Sequence, residues 1–294
     1  MKQDPSLRVK YAMKTIKKTC PFNYAGSKSQ YIELFDIDKP IADLFGGGGG
    51  YWSNVKSHDI IVNDVCEPLI KFQKRIYNAD ANEFESIIMF LYETTKLVET
   101  KEDYEKMRAL FNEKKDDMLF MCCLSCCTNN LIRFNLSGGF NQTWGQRKFN
   151  SSMEAKLRDF RARIENKKIQ FHVGDFQQID TTGRILFADP PYLISSAGYN
   201  TSWTVADENR LYAFLKGKDF VLTNFLQRGE LKNTILENFI RDNNLYVKVV
   251  KEGQMKAQKD DSIFKEVAVS NLPFNTTQIF KVEESSEVKI HTLF

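Results

Sequence analysis

No apolar run in this 294-residue chain approaches the roughly 20 residues that a membrane-spanning helix needs. Met1 to Thr19 carries lysines but no apolar stretch of the kind a secretion signal uses, so the expectation is a protein that stays in the cytoplasm. Histidine is scarce: His58, His172 and His291 stand singly. The six cysteines supply one half of a zinc motif, Cys123-x-x-Cys126, and no second pair. No metal is therefore expected. Four of those cysteines lie in the apolar stretch Met118–Cys127, where they read as small core hydrophobes. Internal repeats are absent, and the single low-complexity tract is a run of glycines. An apolar share of 42% against 27% charged residues excludes global disorder.

The net charge is only +3, from 41 basic and 38 acidic residues, too mild to identify a partner. Its distribution says more. Between Leu131 and Gln170 stand nine basic residues (Arg133, Arg147, Lys148, Lys156, Arg158, Arg161, Arg163, Lys167 and Lys168) against Glu154, Asp159 and Glu165. That stretch alone carries +6. Such clustering is the usual footprint of phosphate binding, and a solvated helix face fits the charge equally well.

Along the chain, strand and helix patterns alternate from Ile41 onward. Short buried strands are expected at Ile41–Phe45, Asp59–Val62, Ile169–Val173, Arg184–Ala188, Phe220–Thr223 and Tyr246–Val250. A helix opens at Glu67-Pro68, and further helices are expected at Tyr77–Phe90, Lys101–Asn112, Asp116–Cys127, Asp207–Leu215 and Glu230–Arg241. Phe264–Val269 and Thr277–Val282 read as paired strands around Asn271–Asn275. About 95 mostly helical residues thus interrupt a strand-rich chain, and the basic stretch closes that interruption. Ligands of open α/β sheets bind at the carboxyl ends of strands.

Two sequence words fall at such ends. Asp43-Leu-Phe-Gly-Gly-Gly-Gly-Gly50 places glycines directly after a strand, where a turn needs positive φ and a ligand needs close approach to the backbone. No Gly-Lys-Ser/Thr follows, which excludes a P-loop. Asp64 follows the next strand at the distance where a carboxylate accepts hydrogen bonds from a ribose, so the loop fits any adenosine-containing cofactor. The second word is Asp189-Pro-Pro-Tyr192. Two prolines fix φ and remove donors, leaving a stiff loop with one carboxylate, presented carbonyls and an aromatic face. That combination suits a planar ring bearing an amino group. By itself the tetrapeptide fits RNA and protein methyltransferases as well as DNA ones.

Read together, the words resemble the Dam-type DNA adenine-N6 methyltransferases of the α motif order, especially those of the T-even phages. The matching segments are Phe22-Asn-Tyr-Ala-Gly-Ser-Lys28, Asp43–Gly48, Val62-Asn-Asp-Val-Cys-Glu-Pro68, Asn130-Leu-Ile-Arg-Phe-Asn135, Gly139-Phe-Asn141, Gly145-Gln-Arg147 and Asp189–Tyr192. They keep the family order from about residue 21 to 225. The resemblance implies an α/β fold, a Rossmann-like methyltransferase sheet with an inserted helical target-recognition lobe. The catalytic part would comprise residues 21–68 and 164–294, the helical lobe 69–163, and residues 1–20 an extension. It implies S-adenosyl-L-methionine as cofactor and double-stranded DNA as partner, with no membrane and no metal. Tyr24, Lys28, Phe45, Gly46, Asp64, Phe176 and Asp189 would hold the cofactor, Lys28 through its carboxylate and Asp64 through its ribose. Asp189, Pro190 and Tyr192 would carry catalysis, with Tyr192 stacked on an everted adenine and Asp189 ionised near the ordinary carboxylate pKa of about 3.9. Leu131, Arg133, Asn135 and Arg147 would meet DNA, the expected target being GATC or a related short site. Two departures stand out: Thr143-Trp144 replaces the usual Pro-Phe, and Gly49 and Gly50 lengthen the cofactor loop, an insertion expected to loosen it. A methyltransferase-like DNA-binding protein without turnover is the non-enzymatic alternative.

Overall fold

The computed structural model describes residues 20–21, 28–34, 37–194, 203–254 and 263–275. Eight strands form one sheet: β1 (Ile41–Asp43), β2 (Asp59–Asp64), β3 (Lys168–Val173), β4 (Ile185–Ala188), β5 (Phe220–Arg228), β6 (Leu231–Lys232), β7 (Tyr246–Gln254) and β8 (Ile263–Ser270). Their order is β3-β2-β1-β4-β5-β8-β7, with β6 paired to β5 off that path. The first five are parallel, whereas β8 runs antiparallel to both β5 and β7. This is the mixed, mostly parallel α/β sheet expected of a methyltransferase fold.

Helices α1 (Glu67–Asn78), α2 (Ala81–Lys96), α3 (Lys101–Lys114), α4 (Asp117–Cys126) and α5 (Ser151–Ile164) lie between β2 and β3. Helix α6 (Val205–Leu215) precedes β5, and α7 (Thr234–Asp242) precedes β7. Alternate strand residues face opposite sides, as the two-residue period requires. Ile60, Val62, Phe187 and Val221 join one core with the buried residues of α1–α5, and Ile61, Leu186, Ala188 and Leu222 join another with α6 and α7. The helical segment therefore shares its core with one face of the sheet.

Three sequence expectations change. The helix expected at Tyr77–Phe90 is two helices, because Asp80 caps α2 in a reciprocal box with Glu83 and stops α1 at Asn78. The helix expected at Glu230–Arg241 starts later: Leu231–Lys232 pairs with β5, and the Asn233 side chain caps α7 by accepting from the Leu236 N–H. Phe264–Val269 pairs with β5 and β7 rather than folding back around Asn271; Thr277–Val282 lies outside the described residues. The cysteines follow expectation. Cys122, Cys123, Cys126 and Cys127 are fully buried and unbridged, and burial pushes the Cys126 and Cys127 thiols up to about 12. They act as packing groups, not thiolates.

Candidate active site

In the sheet order, the chain passes from β1 to β2 on one side and from β4 to β5 on the other. In open sheets of this order, the loops leaving strands such as β1 and β4 flank the crevice where ligands bind. The two strands remain paired to their ends, with the Leu44 N–H donating to the Phe187 carbonyl at 2.8 Å. Both sequence words thus stand side by side.

The glycine loop is a packed cradle. Gly46 to Gly50 are all buried, and the Gly46 N–H donates to the Asn63 carbonyl at 2.7 Å. A Cβ at Gly46 would meet Val62 Cγ1 at 2.5 Å, so no larger residue fits. Gly49 has φ +79° and turns against Trp52, where an added Cβ would lie 3.3 Å from the indole. Of the two extra glycines expected to loosen the loop, Gly49 is thus held in a left-handed turn against a buried ring, and Gly50 is buried beside it. Asp64 closes the cradle: its Oδ2 accepts from the Gly47 N–H and its Oδ1 from the Cys66 N–H, both at 2.8 Å. Burial nevertheless raises its pKa. Phe45, half-buried, lies 5.5 Å from Phe176 and 5.7 Å edge-on from Trp203 between ring centroids. Phe45, Gly46, Asp64 and Phe176 are therefore brought to one end of the crevice. Trp203 joins them with no motif to announce it, because only the packing of α6 delivers it there. Tyr24 lies outside the described residues.

Asp189 follows β4 directly and stands at the centre of a buried polar cluster. Its Oδ1 receives Thr223 Oγ1 at 2.6 Å, Tyr192 Oη at 3.0 Å and Lys28 Nζ at 3.2 Å. Among the described residues no hydrogen bond lands on Oδ2. Burial raises the Asp189 pKa, and the Lys28 charge with the Thr223 and Tyr192 hydrogen bonds only partly offsets it. The expected ordinary carboxylate is corrected on this point. Desolvation lowers the Lys28 pKa, but the charges of Asp189 and Glu266 outweigh it and hold the ammonium protonated. Lys28 lies 5.1 Å from the Tyr192 ring centroid, and Phe225 meets that ring edge-on at 4.8 Å. The Tyr192 hydroxyl also reaches Glu266 Oε1 at 2.9 Å and Thr223 Oγ1 at 3.2 Å. Pro190, in the same loop, is buried. Thr223 and Glu266, on β5 and β8, were not legible in the sequence: each is a single polar letter inside an apolar strand.

Arg133 to Asn141 form a hairpin, with Phe134 bridged to Phe140. Asn135 Oδ1 accepts from the Gly139 N–H at 2.7 Å and from Ser137 Oγ at 2.9 Å, so this side chain tightens the tip. Arg133 lies exposed along the hairpin, donating through Nε and Nη2 to the side chain and carbonyl of Asn141. Leu131 is half-buried at the base, and the exposed Arg147 donates to Asn130 Oδ1 beside it at 3.2 Å. Leu136 at the tip is fully exposed.

The rest of the basic stretch is used internally. Arg158 pairs with Glu85 and Glu154, Arg163 with Asp159, and Lys168 with Asp59. Arg161 lies over the Phe84 ring, and Lys167 donates to the carbonyls of Val55 and Ser57. Much of the +6 stretch is therefore engaged with partners inside the protein and does not form one continuous free basic face. Exposed pairs of this kind contribute little stability, but they neutralise the charge that α5 displays.

Residues 24–263 match the family model described as D12 class N6 adenine-specific DNA methyltransferase. The type II methyltransferase M.FokI of Planomicrobium okeanokoites is 27% identical over 252 residues, covering 77% of this chain and 38% of that protein. Modification methylase LlaI of Lactococcus lactis subsp. lactis is 24% identical over 279 residues, covering 87% of this chain and 43% of that protein. The chain thus spans about two-fifths of the length of these relatives. The DNA adenine methylase of Serratia marcescens is 26% identical over 212 residues, 67% of this chain and 77% of that protein. With the family model matching most of its length, this chain belongs to the D12 class of N6 adenine-specific DNA methyltransferases.

Proposed function

We propose that this chain transfers a methyl group from S-adenosyl-L-methionine to the N6 amine of an everted adenine in double-stranded DNA. The observation that supports this reading most directly is the anchoring of Asp189 through Oδ1 at the reversal of the sheet, beside the glycine cradle. Thr223 and Lys28 donate to this one oxygen, with the Tyr192 hydroxyl in reach of it, which orients the carboxylate and leaves Oδ2 as the acceptor for a substrate hydrogen. The Pro190 carbonyl is the second acceptor, in a loop where proline contributes no competing N–H. Adenine's amine is a poor nucleophile because its lone pair is delocalised into the ring. Acceptance of its two hydrogens by Asp189 and Pro190 gathers that pair on nitrogen. When bound, S-adenosyl-L-methionine supplies a methyl carbon made electrophilic by its cationic sulfur. Asp189 is too weak a base to remove a proton from the neutral amine, so the proton leaves after the nitrogen–carbon bond has formed and the sulfur–carbon bond has broken. Everting the base costs roughly a few kcal/mol, and stacking on Tyr192 offsets part of it.

Phe45, Gly46, Asp64 and Phe176 form the end of the crevice suited to the adenosine: an aromatic wall, a backbone no side chain obstructs, and a carboxylate for ribose hydroxyls. Tyr24 and Lys28 would hold the rest of the donor, Lys28 from the Asp189 cluster through the donor's carboxylate. A DNA target in a bacterial or phage-infected cell accords with a cytoplasmic site of action, and no described helix is long and apolar enough to cross a membrane. The reading is tested with methyl-labelled donor and unmethylated duplex DNA, followed by digestion to nucleosides. N6-methyladenine in the digest is the expected product. Label entering RNA or protein instead, or DNA binding without any transfer, would replace this reading by one of its two rivals. Target mapping then decides whether the site is GATC or a relative altered by Thr143-Trp144.

Two further outcomes follow from the geometry. Asp189 accepts a hydrogen only as the carboxylate, and its pKa is raised by burial. Activity should therefore fall on acidification at a higher pH than an exposed aspartate would give, and stay level above that limb. A kcat/KM profile with pH checks this. Arg133 extends along the exposed hairpin, and an arginine fork suits a guanine edge. Arg133→Ala should weaken duplex binding by roughly ten- to a hundredfold, the scale of one lost bidentate base contact. Titration of cognate and scrambled duplexes distinguishes the roles: equal losses on both would make Arg133 a phosphate contact.

A further inference from the structure

Glu266 belongs to no sequence motif, yet the sheet is distorted on both sides to place it. It pairs with Phe225 on β5, where the register slips before Gln227, and with Lys251 on β7, where it slips after Val249. A bulge in each neighbouring strand at one level re-aims side chains there, a device common beside active sites. The result is a buried carboxylate whose Oε1 lies 2.9 Å from the Tyr192 hydroxyl and 3.5 Å from Lys28 Nζ. Asp189 claims the same two groups, at 3.0 and 3.2 Å. The Tyr192 phenol has one proton and can donate it to only one carboxylate at a time.

Among the described residues, this cluster sets two carboxylates against one ammonium. Its formal charge is −1 within a buried crevice. Given the methyl-donor reading above, on which this rests, we propose that Glu266 is a positioning residue that selects the cationic donor over its neutral thioether product. It holds Lys28 and Tyr192 against Asp189 while keeping the ammonium from neutralising the site. The donor's sulfonium meets a crevice of opposite charge, and the product loses that attraction with its methyl group. Charge interactions of this kind persist in a partly dry crevice, where water screens them poorly. Product release and donor rebinding are thereby favoured by the protein's own charge.

Glu266→Gln tests this, since it preserves volume and an acceptor for Tyr192 but removes the charge. Calorimetric titration with S-adenosylmethionine and, separately, S-adenosylhomocysteine gives both affinities without turnover. The variant should bind the sulfonium about tenfold more weakly than wild type, the order expected for one lost charge nearby. Its affinity for the thioether should stay within about twofold, since the product's sulfur carries no charge and its amino-acid group is the same in both ligands. Equal weakening of both, or no change in either, would overturn the proposal, because a merely structural glutamate cannot tell the two ligands apart. Glu266→Asp, which keeps the charge, should retain the preference and guards against a glutamine variant that fails to fold. A wild-type chain that binds neither compound would bring down the donor reading, and this inference with it. If wild type binds both and Glu266→Gln keeps the preference, only the role of Glu266 falls.

Discussion

Asp189→Ala is expected to lower kcat for methyl transfer at least about a thousandfold, within the range observed when a positioned proton-accepting group is lost. Duplex affinity should stay within about threefold, because the hairpin carrying Arg133 lies on a different segment and shares no contact with Asp189. Folding should also survive. Removing Asp189 leaves Lys28 beside Glu266, 3.5 Å away, so the buried ammonium keeps a counter-ion. An unpaired buried charge is what makes most such deletions destabilising. Asp189→Asn keeps the shape of the loop and one carbonyl acceptor, yet loses the charge, and should still lose roughly a hundredfold or more in kcat. Single-turnover transfer to duplex DNA, with a parallel binding titration, provides both quantities. Either variant retaining more than about a tenth of wild-type turnover would remove Asp189 from the reacting centre.

Gly145→Ala is the variant expected to cost most in stability. The segments Cys126–Thr128 and Thr143–Gly145 cross as a short antiparallel pair. Within it the Gly145 N–H donates to the Cys126 carbonyl and the Thr128 N–H to the Thr143 carbonyl, each at 2.9 Å. A methyl group on Gly145 would stand 2.6 Å from the Cys127 carbonyl carbon and oxygen and 2.7 Å from the Thr128 nitrogen. Those are backbone atoms following a buried helix, and no rotamer change can relieve them. Forcing a methyl into such a site costs about 1–3 kcal/mol or more. At about 2–4 °C per kcal/mol for a protein of this size, the melting temperature should drop by several degrees. The crossing also carries Arg147 and the base of the hairpin, so duplex affinity should fall together with Tm. Donor affinity should change by less than about twofold, because the cradle residues belong to the sheet loops. An unaltered Tm would mean that the two segments do not cross so closely.

How much of this was legible beforehand depended on the length over which each signal is written. The parallel core strands were visible because β-branched and aromatic runs bounded by turn residues need no tertiary partner to be recognised. Helix α3 was visible from helical spacing, and the structure adds a Thr100–Asp103 cap written within four residues. The break between α1 and α2 was missed although Asp80 and Glu83 are a cap of the same kind, since apolar periodicity runs on across it. Summed along the chain, the basic stretch looks like one unit. Its partners Glu85 and Asp59 lie far away in sequence, where they pair with Arg158 on α5 and Lys168 on β3.

The site divides along the same line. Asp43–Gly50, Asp64 and Asp189–Tyr192 carry their chemistry in contiguous letters, because a turn, a stiff loop or a cap is specified by a few neighbours. The sequence alone thus determined the α/β class, the glycine loop, the Asp189–Tyr192 loop and the family. Only the folded sheet decided that Thr223, Glu266 and Trp203 join them, that Asp189 is anchored by one oxygen, and that Gly49 is packed against Trp52. Those facts depend on strand order, on two opposed bulges and on burial, which arise between residues distant in the chain and leave no local pattern to read.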